Sequence, residues 1–526
     1  MTDSPVGAPS ESLADHPAAD CRDREHDRAF EESCRGFISL RPPAATTARH
    51  GLSWPLLAGS VTFLLLFTCS ALLNDGDTYM HIATGRWIFD HGAVPASDPF
   101  SHTLRGAQWT AHEWLAQLFF AAAYAAAGWS GVVSLTATAY AIALALLTRY
   151  LLRHLEPIRA LLFVAMAASL AAPHMLARPH ALVAPLLVLW CISLLRARET
   201  QRAPPLWLSL AVVLWANLHG SFPLALVLGA VFAAEGTLAT TGEARWQAAR
   251  TWGIFLIAAF AASLLTPQGV DGWRFVGDLH RLSFSLSRIG EWRAPDFQQL
   301  QPLEIWLLLA TALVLLRGLR LPPLRIALLL GLLHLALQHA RHGELLGLLA
   351  PIIVAEPFGA QSAATDGDTG QASELDRRFA ALAQPASGAA TALVLTALAA
   401  AAFAVIRVDT LRPAPAASPV TALQAVRAAA PAGPVFNAYE FGGYLIFSGV
   451  APYIDGRADL YGDEFVMGFS RAATLSPPEL LPRLLEHHQI GWTLLQPDLP
   501  AVALLDQLPG WRRLYADGTA VVHVRR

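Results

Sequence analysis

Lysine is absent from all 526 residues, so every one of the 37 basic side chains is an arginine. Charge of either sign is scarce: acidic and basic residues make up 15% of the chain against 54% apolar residues, and the net charge is -3. So apolar a composition excludes an ordinary soluble globule. So small a net charge, with no run of like sign, excludes nucleic acid as a partner. Cysteine is equally sparse. Cys21 and Cys34 precede the first apolar run, and Cys69 and Cys191 sit inside apolar runs, so no pair has the spacing of a disulfide framework or a zinc site. No internal repeat is visible. The missing lysine, with abundant Ala and Leu, reads as the mark of a GC-rich bacterial genome.

What the chain has instead is long stretches of hydrocarbon. Residues 52–73, 131–148 and 387–406 carry no ionisable side chain, and each is long enough to cross roughly 30 Å of bilayer as a helix. Short loops rich in arginine stay in the cytoplasm, which orients the chain. Arg149, Arg153 and Arg159, then Arg196, Arg198 and Arg202, then Arg245 and Arg250, then Arg317, Arg320 and Arg325 form four basic connections expected to share a side with Arg41 and Arg49. Counting the segment from His112 to Gly128 as a crossing puts the later basic loops outside. Laid flat in the interface, with Trp114 and Trp129 near the headgroups, the same segment restores the order.

The expectation is therefore an α-helical polytopic membrane protein of about eleven spans, near 52–73, 130–148, 159–176, 179–196, 204–219, 221–238, 251–266, 302–317, 323–340, 343–357 and 387–406. The N-terminus is expected inside and the C-terminus outside. Residues 1–50 read as a disordered cytoplasmic tail with no cleavable signal at its start, 51–407 as the membrane domain with its first outward loop at 74–129, and 358–386 as a flexible cytoplasmic linker. Residues 408–526 read as a small extracytoplasmic α/β domain, with strands at 433–436, 452–454, 492–495 and 520–524 and helices at 420–430 and 478–487.

On this topology the polar residues beside the spans gather on the outer face: Asp75, Asp77, His81, Arg86 and His112, then Arg178 and His180, His219, Glu291, and Arg341 with His342. Ionisable groups at span ends are costly unless paired or hydrated, so their collection points to an outward polar cavity. Asp75 and Asp77 follow the carbonyl end of a span, which disfavours negative charge. Paired carboxylates there suit general-base work or a divalent metal ion, and the plainer alternative is a hydrated turn. Arg178, His180, Arg341 and His342 suit a phosphate-bearing lipid headgroup. Alternatively they snorkel to the interface.

The acidic pair after the first span, Tyr79, the Ala83-Thr84-Gly85-Arg86-Trp87 stretch and the His112-Glu113-Trp114-Leu115 start of the flat helix together resemble the opening of the GT-C superfamily of membrane glycosyltransferases. The likeness is to the bacterial branch with the lipopolysaccharide-core, aminoarabinose and protein mannosyltransferases, and it covers roughly residues 50–240. Two departures stand out: Gly76-Asp77 in place of an adjacent second acid, and Glu113-Trp114 in place of Pro-Pro after a His. The resemblance implies an inverting enzyme of the bacterial inner membrane and cell envelope. Its donor is a sugar on a polyprenyl phosphate, and its acceptor is an envelope glycan, lipid or protein on the outer side. Asp75 or Asp77 is then the catalytic base, no cofactor beyond a possible divalent metal ion is implied, and membrane lipids are partners. His81, Arg86, His112, Glu113, Arg178, His180, His219, Glu291, Arg341 and His342 are then substrate-binding candidates. The rivals are a transporter or flippase for a lipid-linked or amphipathic substrate, in which the cavity binds without reacting, and a non-catalytic protein of the same fold. In the C-terminal region Gly442-Gly443 and Asp455-Gly456 read as turns, with Asp455, Arg457 and Asp459 open between acceptor binding and structure.

Overall fold

The computed structural model describes residues 51–279, 281–366, 374–408 and 411–526, so the expected N-terminal tail lies outside the described residues. Helices α1 (Trp54–Phe67), α2 (Asp77–His91), α3 (Trp114–Leu151), α4 (Pro157–Ala171), α5 (Pro179–Glu199), α6 (Leu210–Leu218), α7 (Pro223–Leu238) and α8 (Gly242–Ser263) form the first half. Then follow α9 (Asp271–Leu279), α10 (Ser283–Arg288), α11 (Pro302–Arg317), α12 (Pro323–Gln338), α13 (Gly343–Asp366), α14 (Glu374–Leu382) and α15 (Gly388–Val408). Every segment read as a span coincides with a helix. Five helical stretches, Trp114–Leu151, Pro157–His174, Pro179–Glu199, Ala340–Ala364 and Gly388–Val408, are long and apolar enough to cross a membrane by length and composition. The expected linker differs: α13 continues to Asp366 and α14 forms at Glu374–Leu382, because Ala- and Glu-containing polar sequence is good helix former as well as good linker.

α3 is two helices in one. Its backbone leaves helical geometry at Ala127 (φ -152°) and Gly128 (φ 57°), a left-handed conformation that glycine adopts without steric cost. A methyl group on Gly131 would lie 2.0 Å from the Ala123 carbonyl oxygen, a contact impossible along one straight helix, so the chain turns back sharply there. The segment after His112 is thus a separate arm, distinct from the helix at 129–151.

α5 carries charge at both ends and little between. Arg178 caps its start and Arg198 lies in its last turn, about 30 Å away by helix rise. At the second end, Arg198 pairs with Glu235 at 2.7 Å, and fully buried Arg325 meets Glu235 at 3.0 Å and Glu356 at 3.3 Å. Arg325 therefore belongs to a buried ion cluster and not to the exposed basic loop expected of it.

The C-terminal region holds α16 (Val420–Ala429), α17 (Gly442–Phe447), α18 (Ala458–Ala473), α19 (Leu480–His487) and α20 (Pro500–Gln507) around a four-stranded sheet. Its strands are β1 (Val435–Asn437), β2 (Trp492–Leu495), β3 (Trp511–Ala516) and β4 (Val521–Arg525), in the order β1-β2-β4-β3, with only the β1/β2 pair parallel. Residues 452–454, expected as a strand, are held by a side chain instead: Asn437 accepts from the Tyr453 N–H at 2.7 Å and donates to the Ile454 carbonyl at 2.8 Å. β3 was missed because adjacent Arg512 and Arg513 break the two-residue alternation of a half-buried strand.

This region is clamped to the first loop. Arg457 grips Asp455 with Nε and Nη2 at 2.7 and 2.6 Å and reaches Asp98 of the loop with Nη1 at 2.7 Å, while its guanidinium lies 4.6 Å from the Trp109 ring centre. All three ionic side chains are buried, and Tyr461 donates to Asp455 at 2.8 Å. Asp455 and Arg457 are therefore structural. Glycines complete the contact: a methyl on Gly443 would meet the Gly76 carbonyl at 2.3 Å, and one on Gly442 would meet the Ile454 carbonyl at 2.3 Å. Gly442 has ordinary helical dihedrals, so these glycines serve close approach and the turn expectation is corrected. Removing one member of a buried ion pair strands the others without compensation. Arg457→Ala is expected to cost about 3–5 kcal/mol, read as a lower unfolding midpoint in detergent and faster proteolysis of the C-terminal region. An unchanged midpoint would show that the clamp does not hold the region.

Candidate functional site

One cavity of about 910 Å³ lies between the first loop, the starts of α5 and α7, the 267–302 segment, the 339–345 turn and the C-terminal region. It is lined by Asp75, Asp77, His81, His112, Glu113, Arg178, His180, His219, Glu291, Arg341 and His342. Arg86 is not among them. Asp77 and His81 are four residues apart and share a face of α2, whereas Arg86 is nine residues from Asp77, half a turn round the helix. Its guanidinium lies over Tyr124 and Phe447, 4.9 and 4.6 Å from their ring centres.

The cavity floor is ionic. Chain reversal at Gly76 starts α2 at Asp77, so the acidic pair sits at a helix N-terminus, where the exposed N–H groups favour negative charge. The expected disadvantage of a preceding helix end is thereby reversed. Asp75 caps the turn by accepting from the Asp77 N–H at 2.8 Å. Arg178 then gathers three carboxylates: Asp75 through Nε, Asp77 through Nη2 at 2.6 Å, and Glu291 through Nη1 at 2.6 Å. Glu291 also receives Arg341 at 3.0 Å, and the Arg341 guanidinium stacks on Trp292, 4.6 Å from the ring centre.

Asp75, Asp77 and Glu291 share Arg178, and only Glu291 among them has Arg341 as a second partner. Burial, helped by neighbouring Asp75 and Glu291, outweighs the pull of Arg178 and pushes the Asp77 carboxyl up to about 7. For Glu291 the balance is opposite: burial resists ionisation, but Arg178 and Arg341 hold it down to about 2. Asp77 is also the more accessible aspartate, with 28% of its side chain exposed against 9% for Asp75. A methyl on Gly456 would strike Asp77 Oδ1 at 1.9 Å, so the C-terminal region walls the carboxylate on one side.

The histidines have distinct proton positions. A carbonyl only accepts, so His180 Nε2, 3.0 Å from the His174 carbonyl, carries its proton there, with Glu344 3.6 Å away. His219 Nδ1 accepts from the Ser221 N–H at 3.2 Å, which places its proton on Nε2, 3.5 Å from Glu113. With Nδ1 accepting, the His219 ring is neutral, and burial holds His81 down to about 4, so it is neutral too. Burial opposes charge on His112, yet Glu113, 3.7 Å from its Nε2, outweighs burial and raises the group above its ordinary value. For Glu113 burial resists ionisation, and His112 outweighs it to hold the carboxyl well below its ordinary value.

A divalent ion does not fit the acidic pair as it stands, because the Arg178 guanidinium already occupies the position between Asp75 and Asp77. Among the described residues no group of three or more His, Cys, Asp or Glu is arranged to hold a metal ion. Sequence reasoning passed over Gln117 and Trp109, which also line the cavity; so does Asp459, which it left open between acceptor binding and structure. Gln117 had a signal: it is the one strongly polar side chain in the apolar arm from 114 to 126, and it lies one turn from Glu113.

No protein-family model matches the sequence, and neither does any curated relative. Among solved structures, the archaeal oligosaccharyltransferase AglB from Archaeoglobus fulgidus, in complex with an inhibitory peptide and a dolichol-phosphate, aligns over 84% of this chain and 69% of its own at 11% identity and a TM-score of 0.52. ArnT from Cupriavidus metallidurans, bound to undecaprenyl phosphate, aligns over 89% and 97% at 13% identity and a TM-score of 0.49. The chain, with its apolar helices and small C-terminal sheet, shares its fold with the archaeal oligosaccharyltransferase AglB.

Proposed function

We propose that the protein is a membrane glycosyltransferase that moves a sugar from a polyprenyl-phosphate donor to an acceptor on the outer face of a bacterial cytoplasmic membrane. The observation that carries this reading is the meeting of a carboxylate pair, Asp75 and Asp77, with two guanidinia, Arg178 and Arg341, in one cavity closed by the C-terminal region. AglB and ArnT, solved with dolichol-phosphate and undecaprenyl phosphate, support a lipid phosphate as the common ligand chemistry.

In this reading Asp77 takes the proton from the acceptor hydroxyl or amine, the acceptor heteroatom bonds the anomeric carbon, and the bond from that carbon to the phosphate oxygen breaks with inversion. The leaving electron pair stays on the phosphate, where Arg341, steered by Glu291 and Trp292, stabilises it. Arg178 fixes Asp77 and Asp75 in place. A base with a pKa near the working pH is well matched to this task.

Two outcomes test the assignment in radiolabelled transfer assays on the purified protein, with polyprenyl-phosphate sugars and membrane acceptors. Asp77→Asn is expected to lower kcat by about 10²–10⁴-fold. Asp75→Asn keeps an acceptor oxygen for the Asp77 N–H and is expected to lose about tenfold, so the reverse ranking would move the base to Asp75. Because the raised carboxyl must be ionised to accept a proton, transfer is expected to rise with pH through about 7 and to fall tenfold per unit well below it. A profile flat between pH 5.5 and pH 8, on the order of two units around that value, would remove Asp77 from the proton step.

A further inference from the structure

The cavity also carries polar atoms that the protein itself leaves unused. His81 Nδ1 and Gln117 Oε1 are buried without a hydrogen-bond partner, on side chains 6% and 2% exposed. Both residues line the cavity. An unpaired buried polar atom costs on the order of 1–3 kcal/mol, so two lining one cavity mark a place built for something else. Helix packing brings them together: a methyl on Gly85 would meet the Gln117 carbonyl at 2.1 Å, and that close approach of α2 to α3 sets His81, one turn before Gly85, against the Glu113 to Gln117 face.

The spacing around Glu113 points the same way. Its carboxylate lies 3.5 Å from His219 Nε2, 3.7 Å from His112 Nε2 and 3.9 Å from His81 Nδ1. Each gap exceeds a normal N–H···O distance, so the Glu113 carboxylate keeps acceptor capacity for a ligand hydroxyl. Charge narrows the ligand class. Glu113 brings a carboxylate to this cluster, and His219, whose Nδ1 accepts, is neutral, so the cluster offers a phosphate no net attraction. A metal ion is disfavoured as well, since His219 Nε2 already holds the ring proton.

We propose that His81, Glu113 and Gln117, with His112 and His219, form the subsite for the hydroxyl-bearing sugar ring of the donor, separate from the Arg178 and Arg341 pole that takes its phosphate. This deepens the glycosyltransferase reading and rests on it. The Phe275 ring, stacked 3.9 Å from His112, supplies an apolar face beside the polar one, as sugar rings require.

The test compares Kd values of the full-length protein in nanodiscs for bare undecaprenyl phosphate and for the same lipid carrying a hexose, a pentose or an N-acetylhexosamine. Wild type is expected to bind at least one glycosylated lipid more tightly than the bare one. His81→Leu and Gln117→Met are each expected to weaken that glycosylated lipid by about tenfold, to leave the bare lipid within about twofold, and to keep or raise the melting temperature, because they remove atoms with no protein partner. Variants that retain the wild-type preference, or weaken both lipids equally, overturn the subsite. So does a melting temperature lowered by several degrees in both variants, which would reveal protein partners for these atoms. Wild type that favours none of the glycosylated lipids overturns the donor assignment itself.

Discussion

Arg178 bonds Asp75, Asp77 and Glu291 at once, and those carboxylates come from two stretches of chain more than 200 residues apart. Without that guanidinium, three acids would share a partly dry recess, an arrangement that neutralises by protonation or flies apart. With it, the first loop, the start of α5 and the 267–302 segment are tied into one floor. Arg341 then shares Glu291, so the second cation is positioned through the first. Burial, helped by Asp75 and Glu291, is what makes Asp77 responsive near neutral pH.

The roof depends on a second, uncharged constraint, which is the closeness of backbone to backbone. Gly76, Gly443 and Gly456 leave no room for a methyl group where the C-terminal region meets the first loop. The Arg457 clamp on Asp98 fixes the same junction ionically, and Asp463 adds a third fastening by accepting from the Phe284 and Ser285 N–H groups at 2.9 and 2.8 Å. The region that reads in isolation as an appended α/β domain is in this way part of the cavity wall.

Much of the helical layout was legible because a long apolar run has few alternatives to a helix in a bilayer. The break after His112 was legible from arginine parity and appears as the reversal at Gly128. Arg86 was misplaced because proximity in sequence was counted without helix phase. The glycines of the C-terminal region were read as turns because a turn is a local cause, whereas close approach depends on a partner hundreds of residues away. Gln117 was overlooked for the same reason: its meaning lies in the absence of a partner, which only packing reveals. Arg325 looked like a loop cation because charge alone does not distinguish a snorkelling side chain from one enclosed by Glu235 and Glu356.

The two charged ends of α5 give that helix a further role. One end meets the reaction chamber through Arg178, and the other is anchored about a bilayer thickness away through Arg198 and Glu235. α5 is therefore a ruler: its count of residues fixes the distance between the chamber floor at Arg178 and the Arg198–Glu235 anchor. Adding or deleting a single turn would shift Arg178 by about 5.4 Å relative to that anchor, which makes the length of this helix as much a determinant of the site as any residue within it.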